Sequence, residues 1–133
     1  MKLVSGVQLE PADFRNFVGK ARVARLPVIE DPEGSSGLGT VIVYLVEFEA
    51  GARTNWHRHS APQLLLVKEG QGLAQKWGEP VRHMVAGDAV TIEPNEKHWH
   101  GAAPGTGMTH FAVNLNLTTE WLEPVSDDQY RAS

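Results

Sequence analysis

The chain contains no cysteine. Disulfides, thiolate nucleophiles and iron–sulfur clusters are thereby excluded, and any metal must be held by His, Asp, Glu, Asn or Gln. Long apolar runs are also missing: none approaches the roughly 18 residues that a membrane helix needs. The opening MKLVSGVQLEP has its apolar run broken by Ser5, Gly6 and Gln8, too early for a signal peptide. A cytoplasmic protein with no membrane partner is the expectation. Charge of one sign is scarce as well. The formal net charge is −4, and the Lys and Arg residues are scattered rather than clustered. Nucleic acid is a poor candidate partner on that ground. Strongly helical segments are few.

What is present is one domain's worth of chain, 133 residues with an ordinary 41 % of apolar side chains. Thirteen Gly and eight Pro punctuate short runs rich in Val, Ile, Leu and aromatics. That pattern predicts an all-β sandwich or barrel. Residues 11–18 are expected to form one helical turn, with Phe14, Phe17 and Val18 on one side. A first strand falls within 21–29, and Asp31 to Gly39 reads as a loop. Residues 40–49 (TVIVYLVEFE) form a long strand that is apolar on both faces until Glu47, so both faces should be covered. One covers a barrel interior and the other meets a second sheet or a second subunit. Leu64 to Val67 reads as a buried strand. Leu73–Trp77 and Val81–Val85 read as a hairpin around Gly78, Glu79 and Pro80. Further strands fall over Asp88–Glu93, His98–His100 and 108–117. In the last of these Met108, His110, Ala112 and Asn114 share one face, while Thr109, Phe111, Val113, Leu115 and Leu117 share the other. The tail SDDQY suits a capped turn, with Ser126 as N-cap and Gln129 three residues on.

Five of the six histidines stand at positions 57, 59, 98, 100 and 110. On a strand, residues i and i+2 point the same way, roughly 6.6–6.8 Å apart at the backbone. His57 and His59 can therefore lean onto one ion, and Gln63 continues the even register. His98 would arrive from a distant strand. Imidazole suits Mn, Fe, Co, Ni, Cu and Zn, and an amide oxygen favours the harder members. An isolated H-x-H is more often a pair of ordinary surface histidines. The glycines that frame this one raise the odds of a metal site.

The frame resembles that of the cupin family. Gly51, five residues, His57, Arg58, His59, three residues, Gln63, six residues and Gly70 match the spacing of the first cupin motif, G-x5-H-x-H-x3-E-x6-G. Gln63 departs from the usual Glu. In the second motif Gly87 and His98 keep their places, while Glu93, Asn95 and Ala102 replace the usual Pro, Gly and Asn. Asn95 is a mild change, because Asn tolerates left-handed backbone. The segments GARTNWHRHSAPQ, EKHWHGAAP, MTHFA and WLEPVSDDQYR look like the small bacterial cupins that act as manganese-dependent hydroxynitrile (mandelonitrile) lyases, a subfamily that uses Gln as a ligand. The resemblance implies a single cupin domain over residues 1–133, a jelly-roll with its core barrel at about 38–117. It implies one divalent ion, Mn(II) first and Fe, Ni, Co or Zn as substitutes, on His57, His59, Gln63 and His98.

It also implies His110 as the general acid/base in the reversible cleavage of an α-hydroxynitrile to an aldehyde and cyanide. An ordinary imidazole near pKa 6.5 would suit that task. His100 is expected beside it, as a support for the ligands or a second proton carrier. Tyr44, Val46 and Asn114 are expected to border the substrate pocket. Trp56 and Trp99 read as packing residues, Arg58 and Lys97 should point away, and His83 lies apart. Three His and one Gln carry no negative charge, so the site keeps the ion's full charge and favours anionic ligands. A cupin dioxygenase would use the same ligands with O2, and a non-catalytic small-ligand-binding cupin would use them without turnover. A small-molecule substrate and a homodimer or homotetramer complete the expectation.

Overall fold

The computed structural model describes residues 1–30 and 39–132, so the expected loop from Asp31 lies, apart from Gly39, outside the described residues. The described elements are β1 (Glu10–Pro11), β2 (Phe17–Val18), β3 (Ala21–Arg25), β4 (Ile29–Glu30), β5 (Thr40–Phe48), β6 (Arg53–Thr54), β7 (His57–His59), β8 (Gln63–Lys76), β9 (Arg82–Val85), β10 (Ala89–Ile92), β11 (His98–Ala102), β12 (Met108–Leu115), β13 (Thr119–Trp121) and the helix α1 (Asp127–Arg131). The strands form one curled sheet in the order β1-β3-β5-β12-β8-β11-β6-β2, with β4, β7, β9, β10 and β13 paired off that path. The expected all-β architecture is the one observed, and strands from outside residues 38–117 join it at both ends.

The curl turns on β8. Residues 63–70 of this strand pair with β12, and residues 72–76 pair with β11. The two strands expected at Leu64–Val67 and Leu73–Trp77 are thus one strand bent in the middle. Gly70 makes the bend, with φ of 80°. A Cβ built there would lie 1.9 Å from the carbonyl oxygen of Gly107. Gly70→Ala therefore combines a disfavoured backbone with a clash against main chain. We expect a loss of about 3 kcal/mol or more, read as a lower denaturant midpoint. Beside the bend the β8–β12 register slips, so that Thr109 faces Glu69 but His110 faces Val67. Lys68 is the extra residue of this bulge, and bulges of this kind re-aim side chains.

Alternation then sorts the side chains. On β12 Met108, His110, Ala112 and Asn114 are buried, as the pattern predicts, and the intervening residues are half-buried. Val46, Phe48, Val67 and Met108 pack in the main core. Burial of each such side chain is worth about 1.5–3 kcal/mol. The LLLV segment is buried on one face only: Leu65 and Val67 point in, whereas Leu66 is exposed. Outward, the register sets Leu45, Phe111 and Leu66 in one row and Val43, Val113 and Leu64 in the next.

The helical turn expected over 11–18 is instead a reverse turn leading into β2. The Asp13 carboxylate accepts the Arg15 main-chain N–H at 2.9 Å, which favours a turn. Phe17–Val18 then pairs with β6. The strand expected within 21–29 is β3, which ends at Arg25, just before Leu26-Pro27.

The tail forms the capped helix the sequence suggests. Ser126 Oγ accepts from the Gln129 N–H, and Gln129 Oε1 accepts from the Ser126 N–H. Tyr130 buries its ring with Trp56, Leu73, Trp99 and Val125, which confirms the packing role of both tryptophans. Buried Arg53 clamps the tail by donating to the Val125 carbonyl at 2.7 Å and to Asp127 at 2.9 Å.

Candidate metal and substrate site

The site lies inside the curl, where β7, β11, β8 and β12 converge. His57 and His59 both point inward from β7, as their spacing predicts, and both are buried. His98 is set directly opposite His57 by the β7–β11 register. His100 follows two residues on, and His110 and Asn114 enter from β12. Nitrogen atoms of His57, His98 and His100 all lie within 4.8 Å of one another, so this triad can hold a metal ion. His59 adjoins it with its ring 4.9 Å from that of His57, and its Nε2 is 3.2 Å from Gln63 Oε1. The structure thus brings every expected ligand to one place and adds His100 to the group.

The surroundings orient these rings. His57 Nδ1–H donates to the Asn55 carbonyl and His98 Nδ1–H to the Glu96 carbonyl, each at 2.8 Å. Such bonds leave Nε2 as the lone-pair nitrogen, the form a metal needs. His59 Nδ1 meets Thr119 Oγ1 at 2.9 Å. Gln63 Nε2 donates to Asn114 Oδ1 at 2.7 Å, which turns its carbonyl oxygen toward His59. His98 Nε2 and His100 Nε2 are buried and have no hydrogen-bond partner among the described residues. A buried lone-pair nitrogen left without a partner, as His98 Nε2 is, is costly unless a ligand satisfies it. A divalent cation fits that need, and no carboxylate stands among these ligands to lower its charge.

His100 also reaches away from the triad. Its Nδ1 lies 3.0 Å from His110 Nε2, so the two rings form a hydrogen-bonded pair, while His110 Nδ1 has no hydrogen-bond partner among the described residues. Burial, more than any charge, moves all five imidazoles below their ordinary pKa. His98 and His110 fall to about 4, and His57 and His100 fall well below 6.5, with repulsion from neighbouring imidazoles adding to both. The ordinary value expected for His110 is therefore not the one its site allows.

Each imidazole binds a proton more weakly in the folded than in the unfolded chain, so its contribution to stability is present above pH 6.5. That contribution is lost as pH falls toward about 4. For His98 and His110 it is on the order of 3 kcal/mol each at neutral pH. We expect the melting temperature of chelator-stripped protein to drop steeply between pH 6.5 and 4.

A cavity of about 530 Å³ opens onto the cluster. Tyr44 and Val46 line it with Ile42 and Phe48 from β5, facing Asn114 and Ala112 on β12. Arg58 points away and pairs with Glu120, and Lys97 pairs with Glu123. His83 lies exposed on β9, outside the cluster. Strand β13 is not among the strands expected from the sequence. Its Thr119 and Trp121 face His59 and His57 across the β7–β13 pairing, and Trp121 and Phe17 both line the cavity. The alternation T-E-W was the only available signal, three residues long.

The profile of the cupin domain matches residues 44–114, more than half of the chain. The chain belongs to the cupin family. It is 44 % identical over 124 residues to an (R)-mandelonitrile lyase of Granulicella tundricola, covering 91 % of this chain and 88 % of that protein. A crystal structure of a cupin-like protein from Thermotoga maritima superposes with a TM-score of 0.82 at 35 % identity, covering 98 % of this chain and 96 % of that one. A cupin 2 conserved barrel domain protein from Rhodopseudomonas palustris follows at a TM-score of 0.69 and 20 % identity, covering 93 % and 81 %, and speaks to the fold alone. Among the described residues, no helix of this cupin is long and apolar enough to cross a membrane.

Proposed function

We propose that this cupin is a hydroxynitrile lyase that reversibly cleaves an α-hydroxynitrile to an aldehyde and cyanide. The likeness to the Granulicella lyase over nine-tenths of the chain carries the reading. The cluster of neutral histidines at the end of a largely apolar-walled cavity supports it. His57, His59, Gln63 and His98 would hold one divalent ion, Mn(II) first. When bound, the ion supplies a Lewis acid whose undiminished charge favours an anion such as cyanide.

The protein's own groups handle the proton. His110 donates through Nε2–H to His100 Nδ1, and this leaves His110 Nδ1 open to take the substrate's hydroxyl proton. As the C–CN bond breaks, its electron pair leaves with cyanide and the C–O bond becomes C=O. In the same tautomer His100 carries its remaining N–H on Nε2, toward the triad, where it can donate to the departing anion. The proton held by His110 then converts cyanide to HCN. Tyr44, Val46 and Asn114 border the substrate.

Benzaldehyde release from mandelonitrile, followed by absorbance with the uncatalysed rate subtracted, tests this reading. Mn-loaded protein should release it and chelator-stripped protein should not. No release from protein shown to contain metal would sink the lyase and turn the search to oxygen consumption and to ligand binding without turnover.

The assembly follows from the outer face. Two adjacent rows of apolar side chains, Leu45–Phe111–Leu66 and Val43–Val113–Leu64, are left only half-covered or exposed by the chain itself. A second copy covering this face would make a homodimer, and a homotetramer needs one further interface. Light scattering at micromolar concentration should give at least twice the mass of the chain. Leu45→Glu should reduce it to the mass of one chain.

A further inference from the structure

Trp121 combines two properties that rarely coincide. Its side chain faces inward, opposite His57, yet 39 % of the residue remains exposed. The residue is part of the cavity wall. The indole is fixed in place. Its ring lies 4.7 Å from the His57 imidazole at an interplanar angle of 34°, and 6.0 Å from Phe17. The backbone on either side of it is tied to Trp56, by Leu122 N–H to the Trp56 carbonyl and by Trp56 N–H to the Glu123 carbonyl. The Arg58–Glu120 ion pair marks the opposite, outward face of the same strand pair. A large, rigid, half-uncovered aromatic face therefore stands one side chain away from the histidine cluster.

We propose that Trp121 is the residue that sets the preference of this site for aryl over alkyl substrates. A planar ring packed against the indole would place a substituent on that ring within reach of the cluster. Aromatic rings attract one another in offset or edge-to-face arrangements beyond the area they bury, and an alkyl chain gains only the area. The rigidity matters because no ordering cost falls on the indole when a substrate arrives. Phe17 extends the same wall outward. The inference rests on the lyase reading for the substrate's reacting group but not for its ring.

The test compares full-length, Mn-loaded wild type with Trp121→Leu and Trp121→Phe, all expressed per bound metal. Turnover is measured with mandelonitrile and with the cyanohydrin of pentanal. Binding of benzyl alcohol and of 1-pentanol is measured by calorimetry. Trp121→Leu should lower kcat/KM for mandelonitrile by about 5–20-fold, mainly through KM, and change the alkyl substrate by less than about 3-fold. Trp121→Phe, which keeps a ring, should retain most of the aryl preference. Equal losses for both substrate classes, or an aryl-to-alkyl ratio unchanged in Trp121→Leu, would overturn the proposal. Should wild type turn over neither cyanohydrin, the lyase reading fails, and the alcohol binding ratio then decides the role of Trp121 by the same criteria.

Discussion

His110→Ala should lower metal-dependent mandelonitrile cleavage by about 10²–10⁴-fold, the usual worth of a positioned acid/base, and leave bound metal unchanged. The separation of the two readouts follows from where His110 stands. It enters from β12, fully buried, with its ring 5.3 Å from Phe48 and its Nε2 on His100 rather than on any proposed ligand. Removing the ring deletes the open Nδ1 and leaves the bonds that orient His57, His59 and His98 untouched. The low pKa imposed by burial keeps His110 neutral, and so able to accept a proton, across the neutral range. The same burial means that the imidazolium it becomes needs a nearby anion, which the departing cyanide supplies. Metal analysis and initial rates on the same preparation check the expectation. Full activity in His110→Ala would move the proton transfer to another group, His100 being next in line.

Asn114→Leu should weaken metal binding by about 10–100-fold without removing a ligand. Asn114 and Gln63 face each other directly across the β8–β12 ladder, and the Gln63 amide donates to Asn114 Oδ1. That single bond distinguishes the two ends of the Gln63 amide, which otherwise have the same shape. Leucine accepts no hydrogen bond, so the amide loses its reason to present oxygen rather than nitrogen to the site. Asn114→Asp keeps the acceptor and should retain tight binding. Competition against a chelator of known affinity measures both variants. Wild-type affinity in Asn114→Leu would mean that Gln63 is not a ligand, and would favour a site built on His57, His98 and His100.

Much of this site is legible in the sequence because β periodicity is short. His57, His59 and Gln63 share a parity, and so do His110 and Asn114, and a strand converts shared parity into a shared face. The motif glycines are legible for a related reason: Gly70 stands where the bend allows no Cβ. The junctions are harder to read. Nothing local distinguishes one strand bent at Gly70 from two strands separated by a turn, because the β12 and β11 partners that hold it straight on each side lie 22 or more positions along the chain. The turn at residues 13–16 was hidden behind helix-compatible spacing of Phe14, Phe17 and Val18. Pairing of β2 with β6 outweighs that local preference and leaves Phe14 exposed. The three-residue β13 is too short for any pattern, and its place is set by β7, sixty positions earlier.

That distance has a consequence for how the protein comes into being. As the chain emerges during synthesis, His57 and His59 appear early, His98 some forty residues later, and Thr119 and Trp121 later still. The strand bearing the first two histidines gains its β11 partner only with His98, and the Thr119 hydroxyl that steadies His59 only after that. A nascent chain can offer single imidazoles to any passing ion but no ordered set of them. Selective capture of an ion at this cluster would therefore be a late event in the life of the molecule. The concentration of metals around the finished, folded protein, rather than around the ribosome, would decide which one the site holds.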